Sequence, residues 1–217
     1  MVREACSDIA VNGNSVLARF CPCDKGMTKM GTWHTRGLRG SGLEDLINHT
    51  NESYREKGLA LIQKIPTPIT PIEIDKGSHQ ITLAYFNQKS TVDYIGAVQG
   101  IPVCFDAKEC RTDTFPLHNI HPHQMAFMQE FEQQGGVAFF IVSYTGRNEV
   151  YYVSYDDVAV FWKRMEEGGR KSFTYEEIDH AFRIRSHRDM YIHYLEALQK
   201  DLDRKESERN ESRNESN

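Results

Sequence analysis

An α/β protein is what the residue pattern predicts, on two observations. Apolar residues recur with period two in several short stretches, clearest from Ser90 through Phe105, as strands with a buried face require, and Val137 to Tyr144 is rich enough in Val, Ile and Phe to be a central strand. Between and around them, Leu43, Leu46, Ile47 and Tyr54, and later Met125, Met128 and Phe131, recur at helical spacing. A chain of 217 residues with 39% hydrophobic content suits one globular domain.

The elements follow in order. Residues 1–40 show no sustained period and are rich in Gly, Ser, Asn and Thr, so they read as a flexible, disordered extension ending in a basic arm, His34 to Arg39. Residues 41–199 then form the folded unit. The first helix runs from Leu43 to Lys57, opened by Ser41 and ended by Gly58. Leu59 to Lys64 reads as a strand. Pro66, Pro68 and Pro71 each remove a ladder donor, so the segment after it cannot be a central strand and must protrude or run along an edge. A turn at Asp75-Lys76-Gly77-Ser78 and an alternating return from Gln80 to Phe86 make it a hairpin projecting over about 65–80.

The next stretch carries chemistry. A hairpin turning at Gln99-Gly100 continues as Ile101, Val103 and Phe105, so Asp106 and Lys108, two apart, share a face while Phe105 and Ala107 point into a core. Asp93 approaches from the partner strand. Two anions and one cation around a small space supply oxygen ligands for Mg²⁺ and a lysine to hold water or an oxyanion, as a metal-dependent nuclease needs. The bare triplet is also what a cross-strand ion pair with a turn-capping Asp93 would look like.

Beyond it, Pro122 favours a first helical turn in which His123 and Gln124 begin a helix ending at Gly135-Gly136. His118, His121 and His123 read as capping and phosphate-contacting residues, since their spacing matches no helical metal pair. Val137–Tyr144 and Val150–Val153 read as strands, Val158–Met165 and Tyr191–Leu198 as helices, and residues 200–217 as a charged, disordered tail.

Thr91-x-Asp93, Asp106-x-Lys108-Glu109, Phe115-Pro116-Leu117 and His123-Gln124 together resemble the RecU family of bacterial Holliday junction resolvases, over about Gly37 to Leu198. That resemblance implies a restriction-endonuclease-like mixed sheet flanked by helices, with a stalk in place of the projecting hairpin. It implies that Thr91, Asp93, Asp106 and Gln124 surround Mg²⁺, with Mn²⁺ able to substitute, and that Lys108 stabilises the transition state. Glu44 would face the site from behind, and Lys76 would sit near the branch point of a junction. The function it implies is symmetric paired nicking of four-way DNA by a homodimer, because cutting two strands of like polarity needs two sites about a two-fold axis. Where relatives usually carry Glu, this chain has Asp106, whose carboxylate sits about 1.5 Å further back. A non-catalytic junction scaffold, or a modulator of the strand-exchange recombinase, is the alternative function the family leaves open.

A net charge of −5 excludes a uniformly basic nucleic-acid binder, so DNA contacts must be local. Arg36 and Arg39 in the arm, Lys76 and His123 are the candidates, along with clusters at Lys163, Arg164, Arg170 and Lys171 and at Arg183, Arg185 and Arg188. No apolar run approaches a membrane span. Five cysteines, an odd number, argue against a disulfide framework and for a reducing cytoplasm, and Cys21-Pro22-Cys23 holds half the ligands of a zinc site.

Overall fold

The computed structural model describes residues 42–66, 69–78, 80–86 and 91–215, so the arm with Arg36 and Arg39, and the cysteine pair, lie outside the described residues. Helix α1 (Leu43–Glu56) leads into β1 (Ala60–Lys64). A separate ribbon, β2 (Ile69–Asp75) with β3 (Gln80–Phe86), precedes the hairpin β4 (Tyr94–Val98) and β5 (Ile101–Cys110). Then come β6 (Thr114–Pro116), α2 (Pro122–Gln133), β7 (Val137–Tyr144), β8 (Glu149–Ser154) and α3 (Tyr155–Glu166). The chain closes with β9 (Ser172–Thr174), β10 (Arg183–His187), β11 (Met190–His193) and α4 (Leu195–Glu215).

Seven strands form one mixed sheet in the order β1-β4-β5-β7-β8-β10-β11. The β5–β7 pair is parallel and the pairs around it are antiparallel. A parallel neighbour requires a long crossover, and here the crossover carries α2 over one face of the sheet. Each face of the sheet is covered. On the side of α1 and α4, rings stack from strand to strand: Tyr94 on Phe105 at 4.7 Å, Phe105 on Phe139 at 4.8 Å and Phe139 on Tyr152 at 4.4 Å between centroids. Such pairs add about 0.5–1.5 kcal/mol each beyond their burial. They lock β4 to β5 at Tyr94–Phe105, one position from the two aspartates. The other face packs Cys104, Phe140, Val142 and Tyr151 against α2, α3 and the β6–β9 ribbon.

The proline-bounded hairpin stands apart as a two-stranded sheet. It extends further than 65–80, since β3 runs to Phe86, and Ile72, Ile74, Ile81, Leu83 and Tyr85 on it are all about half exposed.

Three expectations are corrected. The first helix is preceded by Gly42 as its N-cap, not Ser41, and Gly42 has no side chain to cap with. Tyr191–His193 belongs to β11, not to a helix, because Met190 and Ile192 alternate inward beside α1, where the Ile192 N–H donates to Thr50 Oγ1 at 3.0 Å. Residues 200–215 are helical instead of disordered, with residues 206–211 exposed. Their first part is anchored: buried Asp201 accepts from Tyr152 Oη at 2.7 Å and from Arg204 at 2.7 Å, and Lys205 reaches Glu132 at 2.8 Å.

Candidate metal centre

The ladder between β4 and β5 ends at Tyr94, so beyond it the edge of β5 is open, and Asp93 closes over this edge. Its backbone N–H donates to Asp106 Oδ1 at 3.1 Å, and its own Oδ2 accepts from the Ala107 N–H at 3.0 Å. Asp106 is fully buried. Its Oδ1 also accepts from Gln124 Nε2 at 3.0 Å, whereas Oδ2 is held by the Lys108 ammonium in an ion pair. Lys108 is 17% exposed, so one side of the pair opens to solvent.

Electrostatics leave this site short of positive charge. Burial, and then the neighbouring Asp106 charge, push Asp93 up to about 6, against the hydrogen bond from Ala107 and the Lys108 charge. Two carboxylates in contact, one of them resisting ionisation, with a single lysine to balance them, are what a hard divalent cation would settle, so these residues fit Mg²⁺.

This shift has a sign in stability. Asp93 binds its proton more tightly folded than unfolded, so without metal the fold loses stability as pH rises from near 4 through about 6. In EDTA, Asp93→Asn is therefore expected to raise the melting temperature at pH 7 and to leave it nearly unchanged at pH 4. A gain of equal size at both would disconnect the effect from ionisation.

Gln124 enters from the first turn of α2, where Pro122 occupies N1 and a capping box joins His121 and Gln124. Its Oε1 accepts from the His121 N–H at 3.0 Å while its Nε2 faces Asp106. Thr91 lies exposed two residues before Asp93. Glu44, in the first turn of α1, pairs its carboxylate with Lys64 at the end of β1, and its carbonyl accepts from Tyr94 Oη at 3.3 Å. It lines an open cleft of about 430 Å³ with Gly42, Leu43, Asp45, Ala107 and Glu109.

His118 is exposed, and the His121 and His123 rings stack at 5.3 Å. Among the described residues no three His, Cys, Asp or Glu side chains are grouped to hold a metal, so the three histidines do not converge on one. Arg164 and Arg170 both pair with Glu177, and Arg183 with Glu149 at 2.9 Å, so part of the charge of those basic clusters is balanced within the fold. Lys76 sits exposed at the tip of the β2–β3 ribbon.

Glu109 makes a contact that its place in the Asp106-x-Lys108-Glu109 motif does not announce. Its Oε1 accepts from the Leu43 N–H at 2.9 Å, doing from β5 what the missing cap of α1 cannot and seating that helix beside Lys108. The one local signal is a glycine where a capping side chain belongs.

Two carboxylates and a lysine converging at the open end of a mixed sheet put the chain among α/β proteins whose site can hold a divalent cation. Comparison with known proteins is more specific. The family model for Recombination protein U matches residues 38–200. A Holliday junction resolvase RecU from Geobacillus sp. (strain WCH70) is 43% identical over 147 residues, covering 66% of this chain and 73% of its own. The Holliday junction resolvase RecU of Leuconostoc mesenteroides is 40% identical over 172 residues, 77% of this chain and 83% of that one. A solved structure of Hjc, a Holliday junction resolvase from Archaeoglobus fulgidus, aligns with 51% of this chain and 77% of its own at 7% identity and a TM-score of 0.31, and the assignment does not rest on it. The chain belongs to the RecU family.

Proposed function

We infer that the chain is a structure-specific endodeoxyribonuclease that resolves Holliday junctions. The observation that carries this is the Asp93–Asp106–Lys108 constellation, two carboxylates in contact with one lysine between them and solvent, in a chain about 40% identical to named resolvases. Asp93 and Asp106 would hold Mg²⁺ or Mn²⁺, with Thr91 and Gln124 bordering the position. Such an ion supplies positive charge to the scissile phosphate and makes water more acidic. Backbone N–H groups fix both carboxylates before any ligand arrives, so little reorganisation is needed. The Lys108 ammonium, partly open to solvent, can donate to the attacking water or to a phosphoryl oxygen as charge builds there. Glu44, at the cleft beside β5, would give the site its rear wall.

The substrate is branched DNA in the cytoplasm, with the strand-exchange recombinase as a further partner. The active species is a homodimer, because paired symmetric nicks need two sites about a two-fold axis. Arg36, Arg39 and His123 would contact DNA near the site. The test is single-turnover cleavage of a synthetic four-way junction across a Mg²⁺ titration, with both nicked strands mapped. Paired nicks in strands of like polarity are expected, and junction binding with no cleavage at any Mg²⁺ concentration would leave a scaffold in place of an enzyme.

The ribbon has its own test. Because Lys76 lies at the exposed end of a projection with no other lysine or arginine from Ile69 to Phe86, its role would be at the branch point. Lys76→Ala is expected to reduce resolution and junction distortion several-fold while sparing duplex binding. Equal losses on junction and duplex would make it an ordinary phosphate contact.

A further inference from the structure

Of the cations around the Gly168-Gly169 turn, the fold pairs all but Lys171. Arg164 meets Glu177 at 2.7 Å and donates to the Ser172 carbonyl at 2.6 Å, Arg170 shares the same glutamate, and Lys163 lies 3.9 Å from Glu167, one turn along α3. Lys171 is exposed and pairs with no acid among the described residues. Its backbone is nonetheless fixed. Phe115, Phe173 and Phe161 stack in series at 4.9 and 4.8 Å, which locks the β6–β9 ribbon onto α3. The register Pro116↔Ser172 then runs on into a hydrogen bond from the Leu117 N–H to the Lys171 carbonyl at 3.0 Å.

From buried Leu117 the chain passes exposed His118 and His121 into the first turn of α2, where Gln124 meets Asp106. Gln124 is seven residues on from Leu117, so even a fully extended segment would leave the ribbon end within about 25 Å of the metal centre. Phosphates recur about every 3.4 Å of axis along one strand of duplex DNA, which makes that distance no more than about seven nucleotides. The segment also offers nothing to repel a phosphate. From Thr114 to Gln129 there is neither Asp nor Glu, in a chain with 31 acids among 217 residues, and the first turn of α2, where the helix dipole favours acids, carries none.

We propose that Lys171, at the head of this acid-free segment, takes a backbone phosphate of one junction arm on the α2 side of the metal centre, while Arg164 and Arg170 of the same cluster serve the fold. The proposal rests on the resolvase reading above and adds a DNA contact to it. A free ammonium gives up no partner when it neutralises a phosphate, whereas Arg170 would have to leave Glu177.

Binding of the full chain to a synthetic four-way junction in EDTA, followed as a function of salt, tests this. Lys171→Ala is expected to weaken binding several-fold at low salt and to make the log–log salt slope shallower by about 0.9, the share of one phosphate, and Lys171→Arg to keep the parent slope. Arg170→Ala removes a cation that Glu177 already balances and is expected to change the slope much less. Lys171→Ala should melt with the parent, since the carbonyl of residue 171, and not its ammonium, holds Leu117. An unchanged slope in Lys171→Ala, or an equal change in Arg170→Ala, would overturn the proposal. So would a lowered melting temperature in Lys171→Ala, which would show that the ammonium already has a partner within the fold. Each of these defeats the proposal alone when the parent binds the junction; a parent that does not bind it would defeat the resolvase reading as well.

Discussion

Asp93→Asn and Asp106→Asn are each expected to slow single-turnover junction cleavage by at least about a thousandfold, near 4 kcal/mol of barrier, while junction affinity in EDTA stays level or rises. The two halves of the result have one cause. Each substitution deletes a negative charge that would hold Mg²⁺ and, in its absence, repels the DNA phosphates. Asparagine can still accept the backbone hydrogen bonds from Ala107 and Asp93, so the fold should survive and the loss be chemical. Cleavage by either variant at the parent rate in saturating Mg²⁺ would refute the assignment of these carboxylates. Asp106→Glu is the complementary probe. It restores the residue relatives usually carry, and activity within about tenfold of the parent is expected, even though the added methylene must fit between Gln124 and Lys108.

Lys108→Ala should differ by damaging two things at once. It removes the ammonium that would meet the developing phosphoryl charge, so the rate should fall by a factor on the order of a thousand. It also strips the ion-pair partner from a fully buried carboxylate, and breaking a buried pair by deleting one member costs about 3–5 kcal/mol. In EDTA the variant should therefore melt well below the parent, and Mg²⁺ should recover much of the difference by replacing the lost positive charge. The Asp106→Asn, Lys108→Ala double variant should be more stable in EDTA than Lys108→Ala alone. If it is not, the buried charge at Asp106 is not what destabilises the single variant.

Much of the site was legible because it is local. Asp93, Asp106 and Lys108 lie on one hairpin, and period two alone places Asp106 and Lys108 on a common face. Proline positions likewise announced a ribbon that could not join the main sheet. Where reading failed, the deciding partner was distant in sequence. The four residues of β11 are too few to show a period, and their burial depends on Thr50, 142 positions earlier. Gln124 lies 18 positions from Asp106, and only the crossover that carries α2 over β5 brings its amide to that carboxylate. Glu177 and Glu149, which balance part of the charge of the basic clusters, lie on other elements and could not be paired with them by pattern.

The anchoring of α4 makes trimming costly in a way its composition conceals. A protease cutting after Gln199 would take Asp201, Arg204 and Lys205 together. Tyr152, one rung of the ring stack, would keep its hydroxyl in the interior with its acceptor gone, and Glu132 at the end of α2 would lose the lysine that ties it down. An unpaired buried hydroxyl costs about 1–3 kcal/mol. Clipping a stretch made almost wholly of charged residues, Asn and Ser would thus be felt inside the protein, next to the strands that carry the aspartates.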